Sequence, residues 1–150
     1  ALAGEQNDWQ KAFDYYLRAF SISQETGAKQ GEALHLMNMG LAAIKLERFD
    51  AALANLRNGA RMAAEIGAQP VLVSTMLYIG LLKLAQGNAQ EAFELIGLAK
   101  SQPSWDSESE RELNLFVGET VLQSETTQAA MQHGRSLDWD ATLEKIIANS

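Results

Sequence analysis

The 150-residue chain contains no cysteine, only two prolines and only two histidines. The lack of cysteine excludes a disulfide framework, thiolate metal sites and cysteine nucleophiles, and it is compatible with the cytoplasmic location that we expect. No apolar run approaches the roughly 20 residues that a membrane-spanning helix needs, so we expect no membrane partner. The scarcity of proline and of β-branched runs predicts an all-α protein.

Charge and glycine-loop motifs narrow the function classes further. The net charge is −7 and no basic stripe is present, so we expect no direct binding of nucleic acid. The sequence contains no Walker loop, no dinucleotide-binding glycine loop and no G-x-S-x-G nucleophile motif. We therefore predict that the chain is not an enzyme and that it binds no cofactor and no metal.

The histidines and one acidic series are the remaining candidates for chemistry. His35 and His133 lie far apart, and neither has a second histidine four residues away, which favours packed or surface histidines over metal ligands. The acidic series lacks the EF-hand spacing, and acids at a helix start interact favourably with the helix dipole. We interpret the series as a solvated helix start, and its members are Asp106, Glu108, Glu110 and Glu112.

The sequence repeats itself with an offset of forty residues. Small residues coincide at this offset, as Gly40 does with Gly80, and larger apolar residues coincide as well. The coinciding sets include Ala12, Ala52 and Ala92; Phe13, Leu53 and Phe93; and Tyr16, Leu56 and Ile96. Side-chain size that is preserved at one offset indicates an internal repeat.

Each repeat is predicted to consist of two helices, because apolar residues recur with helical spacing between turn signals. The predicted helices span residues 8–26, 29–46, 49–66, 70–86 and 88–101. Glycine inside a helix costs roughly 0.5–1 kcal/mol relative to alanine. We interpret Gly40 with Ala52, and likewise Gly80 with Ala92, as the points where the two helices of one repeat cross closely.

At these positions the chain resembles the tetratricopeptide repeat (TPR) family, whose pattern runs W-x2-L-G-x2-Y and then A-x3-F. Gly40 and Gly80 match the family's glycine, and Ala52 and Ala92 match the alanine of its second helix. The period is longer than the family's. The resemblance implies a right-handed α-α superhelix, a TPR-like solenoid, formed by residues 1–103 with a truncated first repeat. A C-terminal helical cap at 104–150 would complete the same domain.

Such elongated repeats resemble the helical sensor arms of large bacterial regulators of the maltose-activator-like and ATPase-linked kind. In those arms a G-R-x-L-x5-L helix closes the repeats, which is matched here by Gly134, Arg135, Leu137 and Leu143. In this frame Ala1 falls inside a repeat, so we expect further repeat before it. The resemblance implies a non-enzymatic sensor or scaffold arm in signal transduction or transcription regulation.

The cap is predicted from helix-start and helix-stop signals. A helix over residues 106–122 is predicted to begin with a capping box of Ser107 and Glu110. Ser124 and Asp138 are predicted to start two further helices, and Gly134 to end the first of these two. The residues predicted to face inward are Leu113, Phe116, Val117, Val121, Leu143, Ile146 and Ile147.

The concave face of a helical-repeat stack is the surface with which such proteins bind partners. A mostly apolar stripe is predicted on this face, with Asn38, Lys45 and Tyr78 as hydrogen-bonding groups. Its residues are Leu34, Met37, Asn38, Leu41, Lys45, Ser74, Leu77, Tyr78 and Leu81. The stripe has three alternatives for what covers it: a partner's amphipathic helix, another part of the same polypeptide, or the neighbouring repeat.

We therefore expect the partner to be a protein, a peptide or another domain of the same polypeptide, bound in the concave groove. The alternative function is self-association, in which the open edge of the first repeat pairs with a second copy as a homodimer. Arg57 and Arg61, four residues apart on one helix, are interpreted as part of a solvated outer face.

Overall fold

A computed structural model of the chain describes residues 3–148. Between these residues there is no strand, so the described part of the protein is all-α, as the sequence predicts. Its helices are α1 Ala3–Thr26, α2 Lys29–Lys45, α3 Phe49–Ile66, α4 Gln69–Ala85, α5 Ala89–Lys100, α6 Ser107–Val117, α7 Glu119–Leu122, α8 Glu125–Arg135 and α9 Trp139–Ala148. None of these helices is both long enough and apolar enough to cross a membrane.

The bounds of four of the first five helices agree with the prediction at both ends. α2 to α5 begin and end within one residue of the predicted spans, whereas α1 begins earlier than residue 8, at Ala3. The turns that follow α2 and α4 have the same backbone shape, because Glu47 (φ 59°) and Gly87 (φ 85°) occupy the same position of the repeat in the left-handed region. The forty-residue period is thus a period of the backbone as well as of the sequence.

The predicted close crossings within the repeats are confirmed. A Cβ atom on Gly40 would lie only 2.5 Å from Leu56 Cδ2 and 3.5 Å from the carbonyl oxygen of Ala52. A Cβ atom on Gly80 would lie 2.7 Å from Ile96 Cγ1. Any larger residue at either glycine would push the two helices apart. The apolar surface buried between them contributes about 25 cal/mol per Å², and this contribution offsets the helical cost of glycine.

The helices form a connected series around one hydrophobic core. α2 packs against α1 and α3, and α4 packs against α3, α5 and also α2. Leu56 of α3, Leu77 of α4 and Ile96 of α5 are completely buried in this core. The later helices extend it, since Leu113 of α6 and Met131 of α8 belong to the same buried cluster.

The predicted cap helix over 106–122 is two helices in the structure. Gly118, with a φ of 89°, separates α6 from α7, and because of this break Val121 is exposed instead of facing inward. The expected capping box is also corrected. Asp106 is the N-cap residue of α6, and its Oδ1 accepts a hydrogen bond of 2.8 Å from the backbone N–H of Ser109.

Gly134 does not end α8, as the sequence suggested, but lies inside it. Ser124 caps the start of this helix as predicted, since its Oγ accepts the backbone N–H of Thr127 at 3.3 Å. Gly134 is buried where α8 crosses α5, and a Cβ atom there would overlap the backbone of Glu94. Gly97 of α5 makes the reciprocal approach to the backbone of Met131. This pair of glycines sets how closely the cap packs on the repeats.

The C-terminal helix α9 is held by two arginines of α3. Its start agrees with the prediction, because Asp138 Oδ2 accepts the backbone N–H of Ala141 at 2.8 Å. At its other end Arg57 Nε donates to the carbonyl oxygen of Ile146 at 3.1 Å, and Arg61 Nη2 donates to that of Ile147 at 2.9 Å. The interpretation of a solvated outer face holds for Arg61, which is exposed, but Arg57 is partly buried, and both arginines cap the last turn of α9.

Candidate functional site

The residues predicted to line the concave groove fall into a buried group and an accessible group. Leu77 and Leu81 have no exposed surface, and Met37 and Leu41 retain only a small part of theirs. All four belong to the hydrophobic core. Leu77 and Leu81 are thus core residues in this structure and offer no surface to a partner, because the chain's own helices cover them.

Helix α6 lies on the predicted groove side of α2 and α4. Ser109 Oγ of α6 is 3.3 Å from Ser74 Oγ of α4, and Glu112 Oε1 is 3.2 Å from Lys45 Nζ of α2. The completely buried Leu113 adds an apolar anchor. Part of the predicted stripe is therefore covered by a helix of the same chain, which is one of the alternatives considered above.

Lys45 is not a free hydrogen-bonding group, because its ammonium is engaged inside the chain. Besides the ion pair with Glu112, Lys45 Nζ lies 5.4 Å from the ring centroid of Trp9 and 4.9 Å from that of Phe116. Such distances correspond to cation–π contacts. Lys45 thus joins α1, α2 and α6 at one end of the groove.

The accessible part of the predicted stripe lines a cleft between α2, α4 and α6, which we call the Tyr78 cleft. It consists of two cavities, of about 310 Å³ and 220 Å³, that share Asn38, Tyr78 and Glu108. The larger cavity is lined by Leu34, Met37, Asn38, Pro70, Val71, Ser74, Tyr78, Asp106, Glu108 and Ser109. The smaller one is lined by Trp9, Tyr16, Asn38, Leu41, Tyr78, Glu108, Arg111 and Glu112.

Tyr78 lies at the junction of the two cavities. The residue is only 6% exposed, and no hydrogen bond to its hydroxyl is formed within residues 3–148. Burial raises the pKa of the Tyr78 phenol above its usual value, and the negative charges of Glu112, Glu108 and Asp106 raise it further. The phenol therefore stays protonated at neutral pH in a region of negative potential.

The interpretation of the acidic series as a solvated helix start is only partly right, because three of its four members have partners in the structure. Asp106 caps α6 and Glu112 pairs with Lys45. Glu110 Oε1 accepts the indole N–H of Trp105 at 3.0 Å and lies 3.5 Å from Lys100 Nζ. Burial acts to raise the pKa of Glu110, but these contacts and the amide of Asn114 outweigh it and leave the pKa lowered. Glu108 remains exposed at the edge of the Tyr78 cleft.

Sequence reasoning missed the half of the cleft that α6 and α1 contribute. Trp9, Tyr16, Asp106 and Glu108 line it although none of them was predicted as a site residue. Local signals explained each of them in another way, the aromatics as packing and the acids as a helix start. Nothing in the local pattern shows that α6 folds back onto α2 and α4.

A larger cavity, of about 490 Å³, lies between α3, α4, α5 and α9, and several of its polar groups already have partners. Lys83 pairs with Glu91 at 3.1 Å, and Arg57 donates to the end of α9. Glu94 Oε2 lies 2.7 Å from Nδ1 of the exposed His133. The side chains of Lys145 and Thr142 have no partner among the described residues, whereas the other four charged side chains that line this cavity each have one.

No group of three or more His, Asp or Glu residues in the described range 3–148 is arranged to hold a metal ion. The other histidine, His35, is partly buried, and its Nδ1 has no hydrogen-bond partner. Comparison of the chain with models of protein families, with curated proteins and with solved structures found no match.

Proposed function

We propose that this chain is a TPR-like helical-repeat solenoid that acts as a non-enzymatic interaction module, the sensor or scaffold arm of a larger bacterial regulator. It binds a segment of a protein, or of another domain of its own polypeptide, in the Tyr78 cleft. The repeat of helix pairs that cross at Gly40 and Gly80 supports the solenoid part of this proposal. The cleft supports the binding part.

The single observation that favours the cleft is the set of polar groups there without a partner in the chain. The hydroxyl of Tyr78 and the side-chain amide of Asn38 form no hydrogen bond with another described residue, yet both line both cavities. Neither group is fully buried, so a partner's polar atoms can form hydrogen bonds with both of them. Leu34, Met37 and Val71 form an apolar wall, and most of the area that a bound segment can bury there belongs to Leu34, because the other two are nearly buried.

The experiment is site-specific photo-crosslinking followed by a quantitative binding measurement. A photoreactive amino acid at position 34, which is 40% exposed, is activated in cells, and a control probe replaces the exposed Glu125 of α8. Any protein captured only at position 34 is purified and titrated against the wild type, Asn38→Ala and Glu125→Ala. Weaker binding to Asn38→Ala alone supports the proposal, and equal binding to all three chains refutes it.

Self-association is a second candidate function, which the exposed apolar residues of α1 favour. Tyr15 and Ile22 are each 60% exposed, and Leu17 is exposed as well. A second copy that packs on this helix would remove them from water. Light scattering tests this. If the wild type is a dimer, the double variant Tyr15→Ser with Ile22→Ser should have a lower molar mass, whereas Leu115→Ser, a control at an exposed leucine outside α1, should have the mass of the wild type. A wild-type monomer at high concentration would rule out this function.

A further inference from the structure

The Tyr78 cleft combines three features that together define the chemistry of its ligand. They are an accessible hydroxyl on a mostly buried residue, carboxylates that pair with no cation of the described residues, and an apolar wall. Each can be followed from the described contacts.

The first feature is the Tyr78 hydroxyl. The residue is only 6% exposed, yet it lines both cavities, and its hydroxyl, which is not fully buried, forms no hydrogen bond with another residue in the range 3–148. A phenol oxygen accepts as well as donates. A hydrogen bond between a ligand and this hydroxyl would therefore add to the free energy of binding.

The second feature is the sign of the charge. The larger cavity is lined by the carboxylates of Asp106 and Glu108 and by no basic residue. Glu108 forms no ion pair and no hydrogen bond with another described residue. In the smaller cavity Glu112 is paired with Lys45 and Arg111 balances Glu108, so the excess of negative charge lies in the larger cavity. The potential in the cleft therefore favours a positively charged group.

The third feature is the wall. Leu34, Met37 and Val71 line the larger cavity together with the acids. A cavity of about 310 Å³ whose lining is partly apolar and partly acidic matches a long side chain that buries its methylene groups and carries a charge at its tip.

The chain itself provides a precedent next to the cleft. The ammonium of Lys45 lies between the rings of Trp9 and Phe116 and pairs with Glu112. The neighbouring part of the cleft offers the same kinds of group, aromatic Tyr16 and Tyr78 with the carboxylate of Glu108.

From these features we infer that the Tyr78 cleft binds a protonated lysine or arginine side chain of a protein partner, with its charge between Glu108 and the Tyr78 hydroxyl. The inference rests on the proposed function, since it names the chemistry of the segment that the cleft receives. Asn38, whose amide lines both cavities, contacts the backbone or the tip of the same side chain.

The test uses three probes and nuclear magnetic resonance of the isotope-labelled chain. The first probe is a capped pentapeptide with arginine between alanines, the second replaces arginine by the neutral isostere citrulline, and the third is the free amine agmatine. We expect the arginine peptide to shift the amide signals of Asn38, Ser74 and Tyr78, and the citrulline peptide to bind at least tenfold more weakly. Binding of agmatine as tight as that of the arginine peptide would assign the cleft to small amines and overturn the protein-partner part.

Variants locate the contacts. Tyr78→Phe should weaken the arginine peptide by about tenfold, because a hydrogen bond to a charged group is lost, and Glu108→Gln should weaken it by about threefold. Glu125→Gln removes the same charge from α8 and should leave the affinity unchanged. Circular dichroism confirms that each variant is folded.

The outcomes separate this inference from the function on which it rests. Equal binding of the arginine and citrulline peptides would overturn the cationic ligand and leave the cleft as a binding site. If neither peptide binds, or if the arginine peptide binds Tyr78→Phe and Glu108→Gln as tightly as it binds the wild type, the inference would likewise be overturned. The proposed function is judged separately, by the affinity of the crosslinked partner for Asn38→Ala.

Discussion

Replacing Gly134 by alanine adds one methyl group at the point where α8 crosses α5. The new Cβ atom would meet the carbonyl carbon of Glu94 at 2.6 Å and its Cα atom at 2.8 Å, whereas real Cβ contacts are essentially never shorter than 3.0 Å. These obstacles are backbone atoms inside α5, so they cannot move aside as a side-chain tip would. The two helices must separate by roughly 1 Å to restore van der Waals contact.

The magnitude follows from two opposing terms. In an unobstructed helix, glycine to alanine stabilises by about 1 kcal/mol. Overpacking a buried contact typically costs about 1–3 kcal/mol, and a backbone obstacle belongs at the upper end of that range. We therefore expect Gly134→Ala to lower the free energy of unfolding by about 2 kcal/mol, which corresponds to a fall in Tm of about 4–8 °C for a chain of this size.

Urea denaturation followed by circular dichroism measures this difference. Gly4→Ala is the matched control, because Gly4 lies in α1 and an added Cβ would have nothing within 4 Å. The control should be as stable as the wild type or slightly more stable. If Gly134→Ala were also as stable as the wild type, with an unchanged m-value, the close approach of α5 and α8 would be refuted.

Three further predictions test individual groups. Burial and nearby carboxylates raise the pKa of Tyr78, so its contribution to stability is complete below the phenol's unfolded pKa of about 10 and is lost as the pH rises above that value. Between pH 10 and pH 11 the free energy of unfolding of Tyr78→Phe should therefore rise relative to that of the wild type, compared with their difference at pH 7. Parallel curves of stability against pH would contradict this. Arg57→Gln should lower the free energy of unfolding by about 1 kcal/mol and speed amide hydrogen exchange in the last turn of α9, whereas Arg18→Gln, at an exposed position, should do neither. Unchanged exchange in Arg57→Gln would show that the hydrogen bond from Arg57 to the end of α9 is unimportant. Trp105→Phe should raise the lowered pKa of Glu110, because it removes the indole hydrogen bond, and the variant should lose stability relative to the wild type at pH values above the unfolded pKa of Glu110. Carbon NMR titration measures the pKa of Glu110, and an unchanged pKa would refute this role of Trp105.

The contacts that could be predicted from the sequence join helices that follow one another. Gly40 meets Leu56, and Gly80 meets Ile96, across a single short turn, and these two contacts are one pattern repeated at an offset of forty. Two copies of one local pattern distinguish a structural requirement from coincidence. The predicted bounds of α2 to α5 were accurate for the same reason, since helical spacing and turn residues are both local signals.

The cap was predicted less well because its important contacts are not local. Gly134 looks like a helix end in sequence, since glycine commonly follows a helix, but in the structure it permits the approach to Glu94 of α5. Arg57 looks solvated because nothing near it in sequence needs a donor. Its partner, the carbonyl of Ile146, lies at the far end of the chain. No repeat marks either contact.

The candidate site divides in the same way. The sequence placed Leu34, Met37, Asn38, Ser74 and Tyr78 on one face, and the structure brings them together in one cavity. Helical period and repeat offset were enough for this, since they fix the direction of each side chain relative to its neighbours along two consecutive repeats. Only the tertiary structure decided that α6 returns to this face, covers part of it and brings Asp106 and Glu108 to the rim, because that placement depends on the total packing of distant helices.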